Sequence, residues 1–431
     1  MTERRTVVKL LGSLPLALYI ESLSGCSSQE DDRVALPHTP ATIFKSTGPD
    51  PAAITRRLLE SLGGISALID KDDIVVLKPN SQWWHQGMTN TDIMAEFITA
   101  VLEIPGFAGE IIIADNHQCK ELNSRAWTTQ DRNGRFNYNE LVEYFNNRGF
   151  ANVTKYHWNP AGPNPTPLQM DGFGNSVVSH PSEGDGYIWP RDLYYTCPHG
   201  NRCLLAYPVF TSSYSGVAID LKSGAFKDGG YTGQPVKFIN FSAMNHHSGY
   251  SGVTASVKNF MGVVDMSCGY PGPEPDGFYN THHIGASGLF KFMSRHRHAL
   301  RKMPYFNELY LHPSVFRFRY TGGVLGKFMA SVRRADLNII TAIRIGWGSR
   351  VDKAMAAPTD TVLASTDPVA LDWWAAKNIL LPATFAANAG EWLLEKNDPE
   401  YPEGNFNQFL EECRREIGGT TDPNLMTVHE G

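Results

Sequence analysis

The residues best equipped for chemistry are Lys78, Asn80, Asp115, His246, Lys258 and Asn259. Lys78 follows the all-apolar run Ile74-Val75-Val76-Leu77, Asp115 follows Ile111-Ile112-Ile113-Ala114, and His246 comes shortly after Val236 to Phe241. Runs of this kind read as buried strands of a parallel sheet. Such sheets bind ligands beyond the carboxyl ends of their strands, where loops converge. A cation, an amide and an imidazole meeting there hold a carboxylate or phosphate and still offer a proton-transfer group. His246, Lys258 and Lys78 are therefore the candidate catalytic residues. His246 is the proton carrier, because imidazole titrates near physiological pH. The lysines are anion clamps when charged; a buried lysine with a lowered pKa is instead a base or Schiff-base nucleophile. Asn80, Asn259 and Asp115 are the candidate substrate-binding groups.

The elements that must position these residues follow an α/β order. Asp50-Pro51 reads as a helix cap with proline at the first helical position, followed by Ile54, Leu58, Leu62 and Ile65 at helical spacing. Met94, Phe97, Ile98, Val101 and Leu102 mark a second helix between the first two strands, so those strands should lie parallel. A helix around Leu141 to Phe145 and a strand from Val153 to Trp158 continue the pattern. Residues 159–203, rich in Pro, Gly and Asn, read as a long loop or inserted lobe. Strands resume at Leu204 to Phe210, Gly216 to Leu221, Val236 to Phe241, Leu337 to Ile343 and Thr361 to Leu363. A helix opens at Asp367-Pro368, and Pro304 to Val332 fits no single pattern. The fold class is α/β: a mostly parallel sheet flanked by helices, with long irregular loops or an inserted lobe. The organisation is an export signal (1–25), a linker (26–47), the α/β domain (48–395), and a C-terminal helix and tail (396–431).

Three blocks carry a resemblance: Leu77-Lys78-Pro79-Asn80, Val257-Lys258-Asn259-Phe260-Met261-Gly262, and Asp336-Leu337-Asn338-Ile339-Ile340 leading through Gly346-Trp347-Gly348 to Leu363-Ala364-Ser365-Thr366-Asp367-Pro368-Val369-Ala370-Leu371-Asp372. In this order they resemble the family catalogued as domain of unknown function 362. That resemblance implies a fold and the position of a site, but no reaction. Met244-Asn245-His246 stands where the family usually shows Lys-x-His, so here the histidine is kept and the lysine is not. Thr341 stands where the family often has an aspartate, which weakens a metal-binding carboxylate there.

Other residues have competing roles. Asp367 is explained as a helix cap, whereas Asp372 is free of that duty and could pair with Lys78 or Lys258. His246-His247 and His282-His283 suggest metal ligands with Asp115 or Asp265, but neighbouring strand residues point to opposite faces, so each pair offers one imidazole. No H-E-x-x-H spacing is present, and no metal is assigned. Gln82-Trp83-Trp84-His85 could stack on a sugar or aromatic ligand, or serve as core or lid. Cys119, Cys197, Cys203, Cys268 and Cys413 contain no C-x-x-C pair, which disfavours an iron–sulfur or structural zinc site. Cys197 and Cys203 read equally as a disulfide or as two thiols.

Arg4-Arg5-Thr6-Val7-Val8-Lys9 and the mostly apolar stretch Leu10 to Ile20 resemble a twin-arginine export signal, with Glu3 and Val7 departing from the usual pattern. Leu23-Ser24-Gly25-Cys26 resembles a lipoprotein cleavage box, which implies lipidation at Cys26. The protein is then exported, periplasmic or at the cell surface, and held to a membrane by its N-terminal lipid. A formal charge of −6 over 431 residues, without a long basic block, argues against a nucleic-acid partner. The sequence therefore reads as an exported lipoprotein, an enzyme acting on a small anionic molecule by acid–base chemistry. A non-catalytic solute-binding lipoprotein and a cofactor-dependent redox protein are the rivals, and no cofactor is identified.

Overall fold

The computed structural model describes residues 35–116, 125–158, 177–247, 251–264, 277–310 and 315–431. The export signal, Cys26, Cys119, Asp265 and Cys268 lie outside the described residues. An eight-stranded sheet forms the centre. Its strands are β1 (Ala41–Thr47), β2 (Ile74–Lys78), β3 (Glu110–Asn116), β4 (Val153–Trp158), β5 (Val236–Ser242), β6 (Leu337–Ile345), β7 (Ala357–Ser365) and β8 (Met426–Glu430). Their spatial order is β8-β1-β7-β6-β5-β2-β3-β4. The run from β6 to β4 is parallel throughout, whereas β7 is antiparallel to both its neighbours. The mostly parallel α/β fold expected from the sequence is thus observed.

The alternation of side chains along the strands divides the core into two layers. Val75, Leu77, Ile111, Ile113, Ile239 and Phe241 pack with α1 (Pro51–Ser61), α2 (Thr91–Leu102) and α3 (Tyr138–Asn146). Ile74, Val76, Ile112, Ala114, Phe238 and Ile340 join the opposite core, with α5 (Tyr320–Ser331), α6 (Pro368–Ala375) and α7 (Asn405–Ile417). Between them in sequence lies the single-turn α4 (Ser256–Asn259), on that same side. Sheets covered on both faces need strands apolar on both faces, which is why β2 and β3 are buried along their whole length.

Three elements differ from the sequence reading. The end of the proposed linker is strand β1, second from one edge of the sheet, and the C-terminal tail supplies the edge strand β8 alongside it. Both mix polar with apolar residues (ATIFKST and MTVHE), so their strand character comes from tertiary pairing. The inserted lobe runs beyond residue 203: six short strands between Val177 and Tyr231 form a second sheet. That sheet reaches the core of the first through Tyr187, Phe210 and Ile219. Pro304 to Val332 contains the helix Phe306–Tyr310 and α5. Cys197, Cys203 and Cys413 are buried, and Cys197 and Cys203 are not joined to each other in a disulfide. Among the described residues no helix is long and apolar enough to cross a membrane.

Candidate functional site

The chain builds β2, β3 and β4 outward in one direction, then returns to place β5 on the other side of β2. This reversal opens a crevice beyond the carboxyl ends of β2 and β5, where α/β sheets bind ligands. Lys78 and Asn240 are register partners across it.

Lys78 is 1% exposed, and its ammonium has three acceptors: Asp115 Oδ1 at 3.0 Å, the Pro79 carbonyl at 2.6 Å and Asn259 Oδ1 at 3.1 Å. An ammonium has three N–H bonds, so this set saturates it. Asp115 accepts in turn from the backbone N–H and hydroxyl of Ser81 (2.9 and 2.8 Å) and from the Asn116 N–H (2.9 Å). Burial pushes the Lys78 pKa down and the Asp115 pKa up, and the attraction between them opposes both shifts. With three further donors on the carboxylate, the charged pair is the form this geometry favours. Gly262 makes the pair possible, because a Cβ there would overlap both Asp115 Oδ1 and Lys78 Nζ.

A line of buried amides fixes the other side. Asn259 Nδ2 donates to Asn240 Oδ1 (2.7 Å) and to the carbonyls of Phe241 (3.0 Å) and Lys78 (3.2 Å). Asn240 Nδ2 donates to Asn338 Oδ1 and to the Ser256 carbonyl, both at 2.9 Å. Asp372 does not pair with either lysine. Its carboxylate accepts from the N–H groups of Ser256 (2.8 Å) and Val257 (2.9 Å) and from the Ser256 hydroxyl, holding the start of α4. Burial lifts its pKa to about 7 against these hydrogen bonds. Asp367 is the cap of α6, accepting from Val369 N and Ala370 N.

These contacts aim Lys258 and Asn259 at a cavity of about 200 Å³ that also borders Lys78, Asn80 and Asp115. Lys258 is 6% exposed, with its ammonium 4.9 Å from the centre of the Phe318 ring. Asn80 is held through its backbone: its N–H donates to Thr89 Oγ1 (2.8 Å) and its carbonyl accepts from Tyr138 Oη (3.0 Å). Five of the six candidates from the sequence therefore share one cavity. His246 does not line it. Its Nδ1 lies 2.7 Å from Asn397 Oδ1, and burial lowers its pKa to about 4. Strand alternation presents the neighbouring His247 instead, and His282 of the second histidine pair also lines the cavity. His283 binds Asn280 Oδ1 at 3.0 Å.

Sequence reasoning assigned no role to Arg350. Its guanidinium lies 4.3 Å from the centre of the Trp83 ring and donates to His247 Nε2 at 2.8 Å, while His247 Nδ1 meets Thr254 Oγ1 at 2.6 Å. Burial, reinforced by the Lys258 and Arg350 charges, holds the His247 pKa well below its usual value, so the ring is neutral. Gln86 Nε2 donates to the carbonyls of Ser349 and Asp352 (2.9 Å each), tying the Trp83 loop to the Arg350 loop as one wall. The arginine falls between Gly348 and Leu363 of the C-terminal block, where no motif residue stands, and only this loop pairing reveals it. Asn240 and Asn338 carried a readable signal, since each interrupts an apolar strand. Among the described residues no three His, Cys, Asp or Glu side chains cluster as a metal site.

The fold and the site define an α/β protein with a cationic cavity at the point where its sheet reverses direction. Residues 236–377 match the model of the family described as Domain of unknown function (DUF362), and this match supports the resemblance carried by the central and C-terminal motif blocks. No curated protein and no solved structure matches the chain.

Proposed function

We propose that the cavity binds a small anionic molecule and that the protein is an enzyme acting on it by acid–base chemistry. One observation carries this reading: Lys78, Lys258 and Arg350 line a single cavity whose only carboxylate among the described residues is Asp115. Because the Lys78 ammonium is saturated by its own acceptors, it contributes its field and the placement of Asn259. Lys258 and Arg350 are the groups that hold the anion, the guanidinium matching a carboxylate or phosphate with two parallel N–H groups. Asn80 and Asn259 orient the ligand. The proton-carrier role falls to His247, the neutral imidazole on the cavity wall, whose Nε2 accepts a proton once the Arg350 N–H that it holds turns to the bound anion.

Calorimetric titration of the full-length protein with small carboxylates and phosphate esters tests the binding. Lys258→Ala and Arg350→Ala should each weaken the best ligand by at least about tenfold, the scale of a charged hydrogen bond of about 1.5–3 kcal/mol. Mass-spectrometric detection of a product that depends on His247 separates an enzyme from a solute-binding protein. A ligand bound equally well by both variants would place recognition elsewhere.

We also propose that the chain is exported and lipid-anchored at Cys26, a reading supported by the Arg4-Arg5 segment and the Leu23-Ser24-Gly25-Cys26 box. Intact-mass analysis of the membrane fraction should show an acylated N-terminal cysteine. Cys26→Ser should abolish that acylation, and a membrane-fraction protein with an unmodified Cys26 would refute it.

A further inference from the structure

We propose that the helical lobe around Gly288–Arg295, Arg297–Leu300 and Phe306–Tyr310 docks directly on an anionic phospholipid surface, independently of any acylation of Cys26. The lobe has its own small core: Phe290, Met293, Phe306 and Tyr310 pack against Val315, Phe316 and Phe318. Its other face is solvent-exposed, and its composition is unlike the rest of the chain. From Gly277 to Tyr310 the sequence carries Lys291, Arg295, Arg297, Arg301 and Lys302 against a single acidic residue, Glu308, in a protein whose formal charge is −6. Arg295, Arg297, Arg301 and Lys302 are all exposed. Among them stand large apolar side chains left in water: Phe292 and Met303 at 56% exposure, and Tyr305 at 51%.

Cations interleaved with exposed aromatic and aliphatic side chains on short amphipathic helices are what an interfacial lipid contact requires. The cations meet lipid phosphates, and the apolar groups enter the headgroup–acyl boundary. The positive charge opposes the sign of the whole chain, so it complements an acidic surface rather than merely raising solubility. The same lobe supplies His282 to the cavity wall, and Phe318 of its core lies against Lys258. Docking would therefore bring the proposed site close to the membrane.

The test is sedimentation of the full-length chain carrying Cys26→Ser with phosphatidylcholine vesicles, with and without phosphatidylglycerol. Binding carried by the N-terminal apolar stretch is common to all chains compared, so the readout is the difference between them. The expected result is stronger binding to the phosphatidylglycerol vesicles, reduced at least about tenfold by Arg301→Glu with Lys302→Glu. Added salt should weaken it, and Phe292→Ser should weaken it without altering the salt dependence. Both sets of substitutions lie at exposed positions, and circular dichroism confirms folding. Should the double variant misfold, the single variants Arg301→Glu and Lys302→Glu decide, each by its loss of binding relative to the parent chain. Equal binding to both vesicle types, no loss in the variants, or displacement of the vesicles by equimolar duplex DNA would overturn the proposal. The last result would assign the patch to nucleic acid.

Discussion

Replacing Asp115 with asparagine removes one charge from a pair in which both partners are almost fully excluded from water. Lys78 is then a buried ammonium that keeps two neutral acceptors, Pro79 O and Asn259 Oδ1, and loses its counter-ion. Breaking a buried pair from one side costs about 3–5 kcal/mol. With an unfolding entropy of about 2.1 cal/mol/K per residue over a chain of this size, that loss lowers the melting temperature by about 3 to 6 °C. Its pH dependence has a definite sign. Without the carboxylate, the folded state holds the Lys78 pKa even further below 10.5, so the unfolded chain binds more protons and stability rises with pH. The penalty should thus be fullest near neutrality and shrink as pH climbs toward 10. Adding Lys78→Met to Asp115→Asn removes the orphaned charge and should recover most of the loss. Differential scanning calorimetry over a pH series measures all three quantities. An Asp115→Asn protein that melts within about 1 °C of the parent, or a penalty that grows with pH, would refute the buried-pair argument.

Gly262→Ala should reproduce the Asp115→Asn destabilisation and abolish ligand binding, because its methyl group occupies the space between Lys78 and Asp115; thermal melts and calorimetric titration check this. Asp372, with its folded pKa raised from 3.8 to about 7, favours the fold when protonated, so that contribution is complete at low pH and lost as pH rises through about 7. Asp372→Asn should erase this slope, as read from urea midpoints against pH. His246→Ala should lower stability by about 1–3 kcal/mol through the stranded Asn397 partner while sparing ligand affinity and turnover, whereas His247→Ala should abolish turnover. Paired melting and activity measurements separate the two histidines.

The parallel core was legible because β2, β3, β5 and β6 are apolar runs with helical spacing between them. The strands β1 and β8 were not, since their pairing with β7 and with each other joins the two ends of the chain. Five site residues were legible as polar groups directly following strands or inside motif blocks. The choice between His246 and His247 turned on which face of a two-residue strand meets the cavity, a register set by the pairing of Asn245 with Thr254. Asp372 appeared as a neighbour of the site, but its partner is the backbone of α4, and no sequence pattern encodes which N–H groups a distant carboxylate will reach.

The central claim is that Lys258, Arg350 and His247 form one anion-binding cavity beside the Lys78–Asp115 pair. Trp83 stacks on Arg350 within that cavity, so its fluorescence reports on occupancy. Titrating the full-length protein with the best small carboxylate or phosphate ester should give a saturable change in emission that Trp83→Phe removes and Lys258→Ala shifts to at least about tenfold higher ligand concentration. A saturable signal unmoved by either substitution would contradict the account.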